Sequence, residues 1–245
     1  MIVDEPENYR VLDDLGEGSF GKVTKCVNIQ TKQVVAIKTL KTQENAVTNR
    51  EIGMLRVVSA LDPDKNVVQF FGGFEHRGLT CLVFEMLDRN LQQTAAEDGP
   101  LSLSEIRSVA QQLLTAFDAL KELGVIHSDL KPDNVMLKNR MKPYRVKLVD
   151  FGLACFTSEV KRGMTLQPLG YRAPEVILGL PVSEAVDMWA LGCVLAFLYL
   201  CYHLFMVQGE HQMVSQIYFH LTAWPLIYCC QTTVLTQPDL LKGVC

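Results

Sequence analysis

A chain of 245 residues, 49% of them hydrophobic, can bury a core of domain size, which excludes a predominantly disordered protein. With 23 basic against 27 acidic side chains and a formal net charge of -4, no basic surplus points to nucleic acid or an anionic membrane; proteins and small molecules are the expected partners. The eight cysteines form no CxxC pair and no Cys/His ligand spacing, so reduced and mostly buried thiols are expected.

Residues 1–10 carry Asp4, Glu5 and Glu7 and lack the basic and then apolar pattern of a secretory leader, which points to an intracellular protein of the nucleus or cytoplasm. From Tyr9 to Thr39, short β-branched runs alternate with turns and predict three antiparallel strands, Tyr9 to Leu15, Lys22 to Val27 and Gln33 to Thr39. A helical pattern through Ile52, Leu55 and Val58 spans about Asn45 to Ala60, and Val67 to Phe74 and Leu79 to Phe84 read as two further strands. The first 87 residues are thus expected as a small lobe of five strands and one helix, with the link to a second lobe at residues 85–90.

Past Leu87 the pattern becomes helical. Ser102 and Glu105 form an S-x-x-E capping box that opens a long helix with apolar positions Ile106, Val109, Ala110, Leu113, Leu114, Phe117, Leu120 and Leu123, and Gly124 supplies the stop. Residues 188–207 contain no formal charge and are long enough to span a bilayer; a helix buried on all sides has the same composition.

Four motifs carry chemistry. Gly16-Glu17-Gly18-Ser19-Phe20-Gly21-Lys22-Val23 is a G-x-G-x-x-G-x-V loop between two strands, and its glycines allow backbone to approach nucleotide phosphates. A dinucleotide-binding unit would place the same glycines between strand and helix. Val35-Ala36-Ile37-Lys38 supplies a strand lysine for phosphates, and Glu51 in the next predicted helix is the carboxylate expected to orient it. In His127-Ser128-Asp129-Leu130-Lys131-Pro132-Asp133-Asn134, Asp129 is placed to accept or orient an acceptor hydroxyl, Lys131 to balance phosphoryl charge and Asn134 to hold Mg²⁺. Asp150-Phe151-Gly152 supplies the main Mg²⁺ ligand in Asp150. Each Asp or Asn alone would read as a turn residue; their order along one chain argues otherwise.

With Ala173-Pro174-Glu175 and Asp187-Met188-Trp189-Ala190-Leu191-Gly192 added, the sequence from about Tyr9 to about Phe205 resembles the protein kinase superfamily. The stretches CLVFEML (81–87), HSDLKPDNVML (127–137), PYRVKLVDFG (143–152) and YRAPEVILGLP (171–181) are similar to homeodomain-interacting protein kinases, in the dual-specificity tyrosine-regulated branch. The resemblance implies an α+β, two-lobed kinase fold, with residues 1–87 as N-lobe and 88–245 as C-lobe, and 188–207 as its buried central helix. It also implies transfer of the ATP γ-phosphoryl group to serine or threonine of protein substrates. Phe84 would be the gatekeeper, Glu85 and Leu87 would offer backbone groups to adenine, and Leu15, Val23, Ala36 and Met136 would complete the nucleotide site.

The chain departs from that pattern in places. Ser128 stands where most kinases carry arginine; Thr165, Leu169 and Gly170 stand where the family has tyrosine, arginine and tyrosine. Loss of tyrosine autophosphorylation is expected at that point. No arginine follows Arg172, so Glu175 is expected to lack its usual partner, and a buried unpaired carboxylate would cost about 3–5 kcal/mol. After Cys201 the sequence drifts, and the C-lobe is expected to be incomplete, with an apolar surface around Leu221 to Cys230 open to a partner protein. Two rival readings remain: a kinase fold that binds without efficient turnover, and a membrane-anchored kinase.

Overall fold

The computed structural model describes residues 6–18, 21–41 and 46–219. Five antiparallel strands, β1 (Tyr9–Glu17), β2 (Gly21–Asn28), β3 (Val34–Leu40), β4 (Phe70–His76) and β5 (Leu79–Glu85), form a sheet in the order β1-β2-β3-β5-β4, and helix α1 (Ala46–Val58) lies between β3 and β4 in sequence. Register sets which side chains meet: Lys38 of β3 pairs with Val23 on one side and Leu82 on the other. Gly21 is required by packing rather than by a turn, since a Cβ there would lie 2.3 Å from the Thr39 carbonyl oxygen. One side of α1 buries Ile52, Leu55 and Val58, and Glu51 is buried with them.

The chain then enters helical structure through α2 (Leu91–Asp98) and α3 (Leu103–Glu122). The capping box opens α3 as the sequence predicts: Ser102 Oγ accepts from Glu105 N, and Glu105 Oε2 accepts from Ser102 N at 2.8 Å. Gly124 follows with φ +66°, a left-handed conformation that costs glycine nothing. Most of the predicted apolar stripe faces the core; Leu114 instead is 48% exposed, and Ala116 and Ala119 are fully buried where helix and neighbour approach closely. Short pairs β6–β9 (Val125–Ile126 with Cys155–Phe156) and β7–β8 (Val135–Leu137 with Val146–Leu148) bracket the loops that carry the motifs.

Helix α4 (Pro174–Ile177) precedes α5 (Ala185–Leu200), whose Ala190, Val194 and Leu198 have no exposed surface. At 16 residues α5 is about 24 Å long, short of a bilayer core. Cys201 ends it in a left-handed conformation, φ 58°, and among the described residues no helix is long and apolar enough to cross a membrane. The uncharged run 188–207 is therefore a buried helix followed by a loop. Cys26, Cys81, Cys155 and Cys193 are buried free thiols, whereas Cys229, Cys230, Cys245 and the apolar run 221–230 lie outside the described residues. One continuous core joins α1, α3, α5 and the residues flanking the motifs.

The sheet and the helical lobe are tied behind the cleft. Asn66 donates through Nδ2 to the Gln112 carbonyl of α3 at 3.1 Å and accepts from Leu148 N at 2.8 Å, and Val68 N donates to the Leu148 carbonyl at 3.0 Å.

Leu113→Ala, in the fully buried stripe of α3, is expected to destabilise by about 2–5 kcal/mol in urea unfolding, against less than about 0.5 kcal/mol for exposed Leu114→Ala. Hydrogen bonds from Lys142 and then Ser102 hold the Glu105 carboxyl down from 4.5 to about 2. The folded state then binds fewer protons than the unfolded one in that window. Its stabilisation is present above pH 4.5 and lost as pH falls toward 2. Glu105→Gln should flatten the fall of the urea midpoint between about pH 5 and 3.

Candidate functional site

A cleft of about 370 Å³ opens between the sheet and the helical lobe, within the range of small-molecule sites. Its roof comes from β1, β2 and β3 through Leu15, Gly16, Val23 and Ala36; its floor includes Met136 of β7. Phe84 stands at the back, and Glu85, Leu87 and Asp88 form the strip joining the two lobes. The Leu87 amide has no hydrogen-bond partner among the described residues, so a residue lining the cleft keeps an unpaired N–H donor. Glu17, Gly18 and Gly21 belong to the β1–β2 hairpin without lining the cleft, and Ser19 and Phe20 lie outside the described residues.

Three of the expected charged groups converge inside. Lys38 Nζ lies 2.8 Å from Glu51 Oε1 and 3.5 Å from Asp150 Oδ1. Burial alone would depress the Lys38 ammonium, but the Asp150 and Glu51 carboxylates outweigh it and hold its pKa above the ordinary value. The lysine is therefore a fixed cation facing the cleft. Asp150 adopts φ 62°, and its Oδ1 accepts from Gly152 N at 3.4 Å.

Beside them the loop 127–134 forms a second cluster. Lys131 Nζ donates to Asp129 Oδ2 at 3.0 Å, and Asn134 Nδ2 donates to Asp129 Oδ2 at 2.7 Å and to the Asp129 carbonyl at 2.8 Å. Turning its amide nitrogen to Asp129 leaves the Asn134 Oδ1 as an available acceptor, and Asn134 and Asp150 both line the cleft. Two hard oxygen donors with open positions suit Mg²⁺, which keeps waters and phosphate oxygens in its shell. Among the described residues no group of three His, Cys, Asp or Glu forms an all-protein metal cage.

The support for this loop lies in a residue that the sequence motif marks only as the start of a helix. Asp187 of α5 accepts from His127 N at 2.7 Å and from Ser128 N at 3.0 Å. Burial pushes its carboxyl above the ordinary range, against the opposing effect of His127 and the two backbone donors. His127 Nδ1 accepts from Asp129 N at 3.3 Å and Nε2 donates to the Val149 carbonyl at 3.0 Å, which assigns the ring proton to Nε2. Ser128, where arginine is usual, is buried at φ 60° and donates from Oγ to the Leu153 carbonyl at 2.6 Å. The serine thus links this loop to the chain just after Gly152.

Two other expectations change. Glu85 does more than present backbone: its carboxylate meets Lys147 Nζ at 2.6 Å and accepts from Gln69 N at 2.7 Å, while Lys147 also donates to the Val67 carbonyl at 3.1 Å. Glu175 has no ion pair among the described residues, as the missing arginine implies, but it is only partly buried. Water can solvate its carboxylate, so the cost of a fully buried lone charge does not apply.

The cleft, the paired lysine and the two carboxylate loops are those of a protein kinase, and residues 9–238 match the protein kinase domain family. The chain belongs to that family. Within it, the chain is similar to Homeodomain-interacting protein kinase 1 of Mus musculus, 44% identical over 216 residues that make up 86% of this chain and 18% of that protein. It is also similar to Homeodomain-interacting protein kinase 4 of Homo sapiens, 39% identical over 252 residues, 100% of this chain and 39% of that protein. The chain therefore spans less than half the length of these relatives.

Replacing Lys147 by Met strands the Glu85 carboxylate, whose side chain is only 12% exposed, and is expected to cost about 3–5 kcal/mol of stability. The double variant Lys147→Met/Glu85→Gln should recover more than half of that loss in a chemical-unfolding cycle.

Proposed function

We propose that this chain is an ATP-dependent protein serine/threonine kinase. The observation that carries the reading is the convergence, at one cleft, of the Lys38–Glu51–Asp150 charges and Asn134, with Asn134 bonded in turn to Asp129, which Lys131 also meets. Adenine stacks between the apolar roof and Met136, with the Leu87 amide and the Glu85 carbonyl as its hydrogen-bonding edge. Lys38, held by Glu51, positions the phosphates. Asn134 and Asp150 would hold Mg²⁺, which when bound neutralises charge on the phosphates.

Asp129 orients the acceptor hydroxyl and takes its proton. Lys131, 3.0 Å away, offsets charge as the phosphoryl group is transferred. The Asp-Leu-Lys-Pro sequence at 129–132 supports serine or threonine as acceptor. Protein substrates follow from this reading, and the relatives' name supports homeodomain proteins among its partners and an intracellular setting in nucleus or cytoplasm.

A second reading, nucleotide binding with little transfer, is favoured by the absence of an ion pair for Glu175 among the described residues. An assay with labelled ATP and Mg²⁺ separates the two. The expected result is transfer to serine or threonine that Asp129→Asn lowers about 10²- to 10⁴-fold and Asp150→Asn abolishes. Metal-dependent transfer surviving Asp150→Asn sinks the site assignment, and ATP binding without transfer by the unmodified chain favours the second reading.

A further inference from the structure

Between Gly152 and Ala173 the chain must present a surface to the acceptor peptide, and its last part is braced in an unexpected way. Arg172 turns its guanidinium inward, donating from Nε to the Leu166 carbonyl and from Nη2 to the Gln167 carbonyl, each at 2.9 Å. Gln167 adopts φ 67° to allow this and is itself buried, accepting from Ala173 N and donating to the Val186 carbonyl, each at 2.8 Å. The shape of 166–172 therefore depends on where Arg172 is held.

What holds it is the segment that follows α5. Glu210 Oε1 takes Arg172 Nη1 at 2.6 Å. The Tyr171 hydroxyl meets His203 Nδ1 at 2.8 Å, and the His203 ring stacks on Phe197 of α5 with centroids 5.1 Å apart. Phe205 stacks on Trp189 at 6.0 Å and 8°, and its carbonyl oxygen lies only 2.8 Å from where a Cβ on Gly170 would be. Gly170 is thus the socket for the Phe205 main chain, and any larger residue would push the loop away.

We propose that the segment 203–210 is a strut that shapes the acceptor-peptide surface at 166–172, with His203 and Glu210 as positioning residues and Gly170 as its seat. This rests on the kinase reading above. The strut joins the substrate segment directly to the core helix α5. Because the contacts lie on the peptide side and none lines the ATP cleft, the inference separates peptide recognition from nucleotide binding.

The test uses the full chain with Gly170→Ala, Glu210→Ala and Glu210→Asp. Steady-state kinetics would be run on the best acceptor from a degenerate serine/threonine peptide library, and hydrogen exchange would be followed at residues 166–173. Glu210→Ala should raise the peptide KM about 2- to 5-fold, as expected for a partly exposed ion pair, with the ATP KM unchanged and Glu210→Asp retaining most of the effect of glutamate. Gly170→Ala should raise it about tenfold or more, because it displaces backbone. Both should speed exchange at 166–173 without changing α3. Equal rises in peptide and ATP KM, or exchange at 166–173 that no variant alters, overturn the strut. If the unmodified chain transfers no phosphate, the kinase reading fails and exchange alone decides the strut; if Gly170→Ala does not fold, Glu210→Ala decides it.

Discussion

The carboxylate of Asp187 lies almost wholly out of water at the start of α5, and its two oxygens are occupied by the main-chain N–H groups of His127 and Ser128. Buried carboxyl oxygens are tolerated only when their acceptor sites are filled, so the loop 127–134 must keep the one conformation that delivers those donors. From that constraint the rest of the site follows. His127 reaches the Val149 carbonyl, Asn134 accepts from Val149 N through its own carbonyl at 3.0 Å and cradles Asp129 with its amide, and Asp150 is set beside them. The apolar body of α5 makes the anchor rigid, since Val186, Ala190 and Val194 are fully buried.

The second organising element lies across the cleft. Lys38 belongs to the sheet, Glu51 to α1 and Asp150 to the helical lobe, so the triad of charges forms only when all three bodies are in register. The Glu85–Lys147 pair does similar work behind the cleft, joining the end of β5 to β8 through a contact shielded from water. Charged pairs of this kind add little net stability compared with apolar packing, but they penalise any arrangement that separates the partners. Both therefore favour one relative placement of the lobes, the one in which Lys38, Glu51 and Asp150 meet.

Ser128 and Gly170 show how a departure from a family pattern is accommodated by local geometry. The serine uses a hydroxyl, at 2.6 Å from Leu153, to connect the same two loops. Gly170 yields its side-chain volume to the backbone of a neighbouring loop. In neither case does the substitution leave a hole, and neither touches the nucleotide cleft. The departures thus bear on how the segment 166–172 is held, while the charged groups of the cleft keep their arrangement.

Much of this was legible in the sequence. Short β-branched and apolar runs bounded by turns marked all five strands, and the S-x-x-E box placed the start of α3, because these are local preferences set by side-chain shape and by unpaired N–H groups at a helix end. The ordered motifs singled out Lys38, Glu51, Asp129, Asn134 and Asp150 by residue type and order, and the fold brings Lys38, Glu51, Asn134 and Asp150 to one cleft. What tertiary structure alone decided were the partners across long separations. Period-two alternation in β8 would turn Lys147 to water, yet it is buried because Glu85, 62 residues earlier, receives it. Hydropathy could not distinguish α5 from a membrane span, because a helix enclosed by protein and one enclosed by lipid have the same apolar surface. Asp187 reads as an ordinary helix-start carboxylate until the fold brings the loop 60 residues before it within 2.7 Å.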